Sequence, residues 1–134
     1  FLGGKPKEIK TFISGGLDWH PQASVFAGAG ATEGGALFSY HANWAAPGRW
    51  GVEILTEKHR FIFRPLEKLR VQKLKSISEE PVEINDTLDK KFKPGLYLQT
   101  LRFLEGENHS NLIDINEHFN NVLEHLIKFT SPEE

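Results

Sequence analysis

Asn43, Trp44, Arg49 and Trp50 fall within eight consecutive positions. An indole ring can stack on the apolar face of a small ligand, while Asn and Arg hydrogen-bond its hydroxyls or carboxylates. An apolar wall with a few convergent polar groups is the make-up of a small-molecule pocket. The competing reading is a packed strand end, with Arg49 held in a structural ion pair. Trp19 and His20 form a second candidate pair. They stand in a connection between strands, where binding groups concentrate, and the competing reading there is a loop anchored by a buried Trp.

Other titratable groups carry less. The six histidines are at 20, 41, 59, 109, 118 and 125. No two are four apart, the helical spacing that lets a pair share a metal, so no metal site is expected. Glu53, Glu57 and Glu67 could be imagined as acid and base. Paired carboxylates need set separations across a cleft, and the alternation here points them to solvent.

The elements that must position these residues are mostly strands. Glu8 to Ser14 alternates, with Ile9, Thr11 and Ile13 on one side and Lys10, Phe12 and Ser14 on the other. Period two predicts a strand. Ser24 to Ala31 and Ala36 to Asn43 are apolar runs joined by Thr32-Glu33-Gly34-Gly35, a hairpin signal. The small residues Ala27 to Ala31 predict close packing on that strand, or a bulge. Trp50 to Thr56, Arg60 to Arg64 and Glu67 to Leu74 read as further strands, with connections too short for parallel crossovers. Ser76 to Lys93 reads as an exposed loop with a short edge strand near Val82 to Ile84.

Two helices close the chain. Leu96 to Glu105 ends at Gly106. Ile115, Phe119, Val122, Leu123, Leu126 and Ile127 then form one apolar stripe at helical period. Ser110 or Asn111 is the expected cap, Asp114 favours the first turn, Glu124 and Lys128 are spaced to pair, and Thr130-Ser131-Pro132 stops the helix. The expected fold is α+β. An open, mostly antiparallel sheet of five or six strands carries the C-terminal helices on one face. The other face, supplied by Phe38, Tyr40, Trp50 and Phe61, is left as an interface.

The chain has 134 residues, room for a single domain. It has no apolar run long enough for a membrane span and no signal pattern. The absence of Cys excludes disulfides and thiolate chemistry and fits a reducing, cytoplasmic compartment. The matches Asn85-Asp86-Thr87 and Asn108-His109-Ser110 to a glycosylation site carry little weight without a secretory signal. Lys58 to Lys75 holds seven basic residues and one acid, whereas Ser76 onward holds twelve acids and five bases. Aromatic residues are not interleaved through the basic run as stacking platforms, so nucleic acid is not the expected partner; a solvated strand face or interface rim, or an anion site, remains. The opening Phe1-Leu2-Gly3-Gly4 reads as a helix end closed by Gly3. With no Met anywhere, it gives the expectation of a piece of a longer protein.

Three features in order resemble the second domain of the glucose-fructose oxidoreductase / inositol dehydrogenase family. They are Phe1 to Ile9, resembling the junction from the catalytic helix to the first strand, and Gly34-Gly35-Ala36-Leu37-Phe38-Ser39-Tyr40-His41-Ala42-Asn43-Trp44 continued by Pro47-Gly48-Arg49-Trp50. The last is Tyr97-Leu98-Gln99 through Phe103-Leu104, followed by Asn111-Leu112-Ile113-Asp114. The resemblance covers nearly the whole chain. It implies an NAD(P)-dependent oxidation of a secondary hydroxyl on a sugar or polyol. It also implies a homo-oligomer formed through the open sheet face, and a cofactor, NAD or NADP, held by an N-terminal Rossmann domain. The family's catalytic Lys and its Asp/His pair precede the region matched here, so no catalytic or cofactor-binding residue is expected in this chain. Asn43, Trp44, Arg49, Trp50, Trp19 and His20 would line the substrate pocket. Gly28 to Gly35 joins two strands and opens no helix, so it is not a pyrophosphate loop. The alternative is a freestanding, non-catalytic dimerisation or ligand-binding module.

Overall fold

The structure, a computed structural model, describes residues 4–106 and 112–131. The reading of Phe1 to Gly3, the Asn108-His109-Ser110 match, the expected caps Ser110 and Asn111, and Pro132 lie outside the described residues. Alternation and hairpin chemistry produce seven strands: β1 (Pro6–Ser14), β2 (Val25–Thr32), β3 (Leu37–Asn43), β4 (Val52–Leu55), β5 (His59–Phe63), β6 (Leu69–Lys73) and β7 (Glu79–Val82). The helices are α1 (Thr87–Lys91), α2 (Leu96–Glu105) and α3 (Ile115–Glu124), with a 3-10 turn at Leu126–Phe129. The fold is α+β and every strand pairing is antiparallel.

The single sheet expected from the sequence is instead two, β1-β2-β3 and β4-β5-β6-β7. Between β3 and β4 the chain runs through Ala45-Ala46-Pro47-Gly48, where Pro47 has no N–H to give a ladder. No hydrogen-bonded register joins β3 to β4. The fourth strand also starts late: its ladder opens at Val52 opposite Phe63, leaving Trp50 ahead of it. The chain divides into two compact units, one of Phe1–Gly48 with Ile113–Glu134, the other of Arg49–Leu112.

In the first unit, Gly28 and Gly30 sit opposite Thr11 and Ile9 on one side and Tyr40 and Phe38 on the other. A Cβ on Gly28 would stand 2.5 Å from the Tyr40 hydroxyl, and one on Gly30 would meet the Glu8 carbonyl oxygen and, at 2.7 Å, the Phe38 ring. The missing side chains therefore let both rings lie flat across the central strand. Phe129 then packs on them, with ring centroids 5.7 Å from Phe38 and 5.0 Å from Tyr40. Two side chains pin the 3-10 turn by hydrogen bonds. The Thr11 hydroxyl donates to the Lys128 carbonyl at 2.7 Å, and the Tyr40 hydroxyl to the Phe129 carbonyl at 3.0 Å. Phe38 and Tyr40 thus belong to the covered face, not to the bare one expected. The bare face of this sheet carries Phe12, Ala27, Ala29 and Leu37 together with Glu8, Lys10, Ser39 and His41, and the Lys10 ammonium stands 5.6 Å over the Phe12 ring.

Asp114, not Ser110 or Asn111, caps α3, its carboxylate accepting from Asn116 N–H at 2.7 Å and Glu117 N–H at 2.9 Å. The apolar stripe continues to Ile127, but the α-helix stops at Glu124 and tightens to 3-10 geometry. The expected Glu124–Lys128 pair does not form; Glu124 stands 3.8 Å from His125 instead. In the second unit α2 has the expected span, whereas α1 falls within a segment read as loop. Neither α1 nor α2 makes more than marginal contact with the strands of this unit, so the helices do not cover this sheet.

Burial is correspondingly slight. Among the described residues the buried hydrophobic side chains are Ile9, Ala23 and Ile62. The chain's accessible surface is 11365 Å². Phe12, Leu37, Phe103, Leu104, Ile115 and Phe119 are all exposed.

The glycine notch generates a paired expectation for thermal or urea unfolding. Gly30→Val should cost about 2–3 kcal/mol through overpacking against Glu8 and Phe38. Gly34→Ala, whose nearest neighbour is the Thr32 hydroxyl at 3.9 Å, should stay within about 0.5 kcal/mol.

Candidate functional site

The connection from β1 to β2 folds back on itself before entering β2. Leu17 and His20 exchange two backbone hydrogen bonds, N–H to carbonyl, at 3.0 and 2.9 Å, placing Asp18 and Trp19 at the tip. Ala23 and Ser24 are buried behind it. Trp44 follows the end of β3, and its N–H donates to the Ser24 carbonyl at 2.8 Å. That bond brings the tip of one connection beside the start of the next.

The result is an aromatic cluster. Trp19 and Trp44 meet edge to face with centroids 5.8 Å apart. Trp19 also stands 5.8 Å from the His20 ring, and His20 stands 6.2 Å from Phe26. Trp19 keeps 69% of its surface exposed and Trp44 57%, so the pair is not a core anchor. The loop reading in which a buried Trp19 pins the connection is therefore replaced by one in which two indoles face solvent.

His20 is fixed within this cluster. Its Nδ1–H donates to the Ala23 carbonyl at 2.7 Å. In the neutral ring that tautomer leaves Nε2 as an acceptor. Asn43 is partly committed as well: its side-chain oxygen accepts from Ala45 N–H at 3.0 Å, closing a turn and leaving its amide N–H groups to donate elsewhere. The cluster thus offers two ring faces, one imidazole acceptor and one amide donor. Those are the groups that grip a polyhydroxylated or aromatic ligand, with stacking for its apolar face and paired polar groups for its hydroxyls.

Of the six candidate residues, Trp19, His20, Asn43 and Trp44 belong to the first unit, and there the two Trp and His20 meet. Arg49 and Trp50 open the second unit. Trp50 is 76% exposed, and no ion pair of Arg49 is found among the described residues. The sequence missed Phe26, which shelters His20.

The remaining candidates are not assembled into chemistry. Glu53 is held by Arg60, whose guanidinium is pushed above its ordinary range by the hydrogen bond and charge of that carboxylate. Glu57 lies in the β4–β5 turn and Glu67 between β5 and β6. Among the described residues no three His, Cys, Asp or Glu groups converge as a metal site would require, and no helix is long and apolar enough to cross a membrane. The glycines from Gly28 to Gly35 belong to β2 and its hairpin turn. No helix starts there to receive a pyrophosphate, so this stretch does not fit a dinucleotide. Comparison of the chain with family models, with curated proteins and with solved structures returns no match.

The exposure of the two indoles separates a ligand platform from a packing role. Trp19→Ala and Trp44→Ala should each change the unfolding free energy by less than about 1 kcal/mol. A buried anchor would cost about 3–5 kcal/mol, and calorimetric unfolding distinguishes the two.

Proposed function

We propose that this chain is the substrate-side and oligomerising domain of an NAD(P)-dependent oxidoreductase acting on a sugar or polyol hydroxyl, of the glucose-fructose oxidoreductase / inositol dehydrogenase class. The observation that carries the reading is the apolar surface left uncovered. Phe12 and Leu37 on the bare face of β1-β2-β3 are 61% and 86% exposed, and exposed patches of this kind mark interfaces. A second copy covers that face, where the small side chains of Ala27 and Ala29 allow close and flat approach. The ordered residues Gly34 to Trp44 and Pro47 to Trp50 support the choice of class.

In this reading Trp19, His20, Asn43 and Trp44 bind the substrate by stacking and by hydrogen bonds to hydroxyls. The dinucleotide belongs to a Rossmann domain outside these residues. Hydride transfer is that domain's chemistry. The role left to this chain is orientation: the indole faces and a fixed imidazole tautomer present a sugar in one pose, which is how positioning groups lower a barrier.

Three measurements bear on the proposal. Sedimentation at micromolar concentration should give a dimer or larger species, and Phe12→Asp should shift it to monomer; a monomeric parent chain would remove the interface. Calorimetric titration of the chain with NAD or NADP should give no heat of binding, whereas micromolar affinity would overturn the domain assignment. In the protein that also carries a Rossmann domain, Trp19→Ala or Trp44→Ala should raise the KM for the sugar or polyol by about tenfold, equivalent to one stacking contact, and leave that for cofactor unchanged. An unchanged substrate KM would take these two residues out of the pocket.

A further inference from the structure

At one end of the four-stranded sheet two hairpin tips stand side by side. One is the β4–β5 turn, closed by Thr56 N–H donating to the His59 carbonyl at 2.8 Å; the other is the β6–β7 turn, closed by Ser76 N–H donating to the Lys73 carbonyl at 3.0 Å. Leu74 N–H donates to the Lys58 carbonyl at 2.8 Å and ties the two together. Their residues line a cavity of about 230 Å³, among them Lys58, His59, Gln72 and Lys75, with Glu57 the acid on its wall.

The charges of this sheet are distributed unevenly. On the strands the basic groups are matched: Arg60 with Glu53, Arg70 with Glu79 at 2.9 Å and Lys73 with Glu80 at 2.9 Å. At the tips Lys58 and Lys75 have no carboxylate within ion-pair range among the described residues. Lys75 is also held at φ 66°, a left-handed conformation that a side chain adopts at a cost and that Gly or Asn would adopt more easily. Gln72 braces the same turn, its Nε2–H donating to the Ser76 carbonyl at 2.8 Å. A strained backbone position that carries an unmatched cation at the rim of a cavity is a sign of function.

We propose that this tip binds a phosphoryl group, the mono- or diphosphate end of a small ligand. A phosphate carries nearly two negative charges at neutral pH and several strong acceptor oxygens. Lys58 and Lys75 supply two ammonium groups for that charge, and the His59 ring adds a donor. A nucleic-acid strand would need a groove that tracks its backbone and rings on which its bases stack. Here the unmatched charge is gathered at one open hollow between two hairpin tips, which suits a terminal phosphoryl group. The site lies wholly within Arg49–Leu112 and does not rest on the oxidoreductase reading.

Inorganic pyrophosphate is the probe, titrated into the full chain by calorimetry at low and at moderate salt. The double variant Lys58→Gln, Lys75→Asn removes both charges and keeps a residue that tolerates positive φ. Lys68→Gln, on the connection before β6 and away from the cavity, is the control. Wild type and the control should bind saturably with affinities lowered by salt, and the double variant, with unchanged circular dichroism, should lose about tenfold or more. Absence of saturable binding below about 10 mM, or equal losses in the control and the double variant, would overturn the site.

Discussion

The constraint on which the rest of this molecule depends is that, among the described residues, few apolar side chains are fully buried. Folding must offset the conformational entropy of the chain mainly by removing apolar surface from water. Here the fully buried hydrophobic groups among the described residues are Ile9, Ala23 and Ile62. Phe12 and Leu37 on the first sheet, Phe103 and Leu104 on α2, and Ile115 and Phe119 on α3 all keep their rings and methyls in solvent.

What does hold the first unit together is specific rather than extensive. Gly28 and Gly30 open a notch in the central strand, Phe38 and Tyr40 lie in it, and Phe129 closes it. Thr11 and Tyr40 then take the Lys128 and Phe129 carbonyls, which a 3-10 turn leaves free to point at the sheet. The C-terminal segment is thereby tied to the strands by two hydrogen bonds and a three-ring contact. The same sheet presents Trp19, His20 and Trp44 at one end, so the element that anchors the C-terminal segment also fixes the candidate site.

Much of this was legible in the residues. The alternation of Ile9, Thr11 and Ile13 gives β1 and its inward side, Thr32-Glu33-Gly34-Gly35 gives the β2–β3 hairpin, and Gly106 marks the end of α2. Three things were not. The α-helix stops at Glu124 although the apolar stripe runs on, because the demand for free carbonyls comes from Thr11 and Tyr40, over a hundred and about ninety positions away in the chain. The separation of β3 from β4 depends on hydrogen-bond partners that leave no local period, and α1, at five residues, is too short to show one. The facing of Phe38 and Tyr40 required knowing that Phe129 would return to them. Of the site, the residue types of Trp19, His20 and Trp44 were visible, but their meeting depends on the bond from Trp44 to Ser24.

If a second copy completes the bare sheet face, association and folding are linked, and stability must depend on protein concentration. Thermal unfolding followed at two concentrations about a hundredfold apart tests this directly. A transition several degrees higher in the concentrated sample is the expected result. Superimposable transitions would contradict it, because they would mean that the chain folds to the same stability with its apolar faces uncovered.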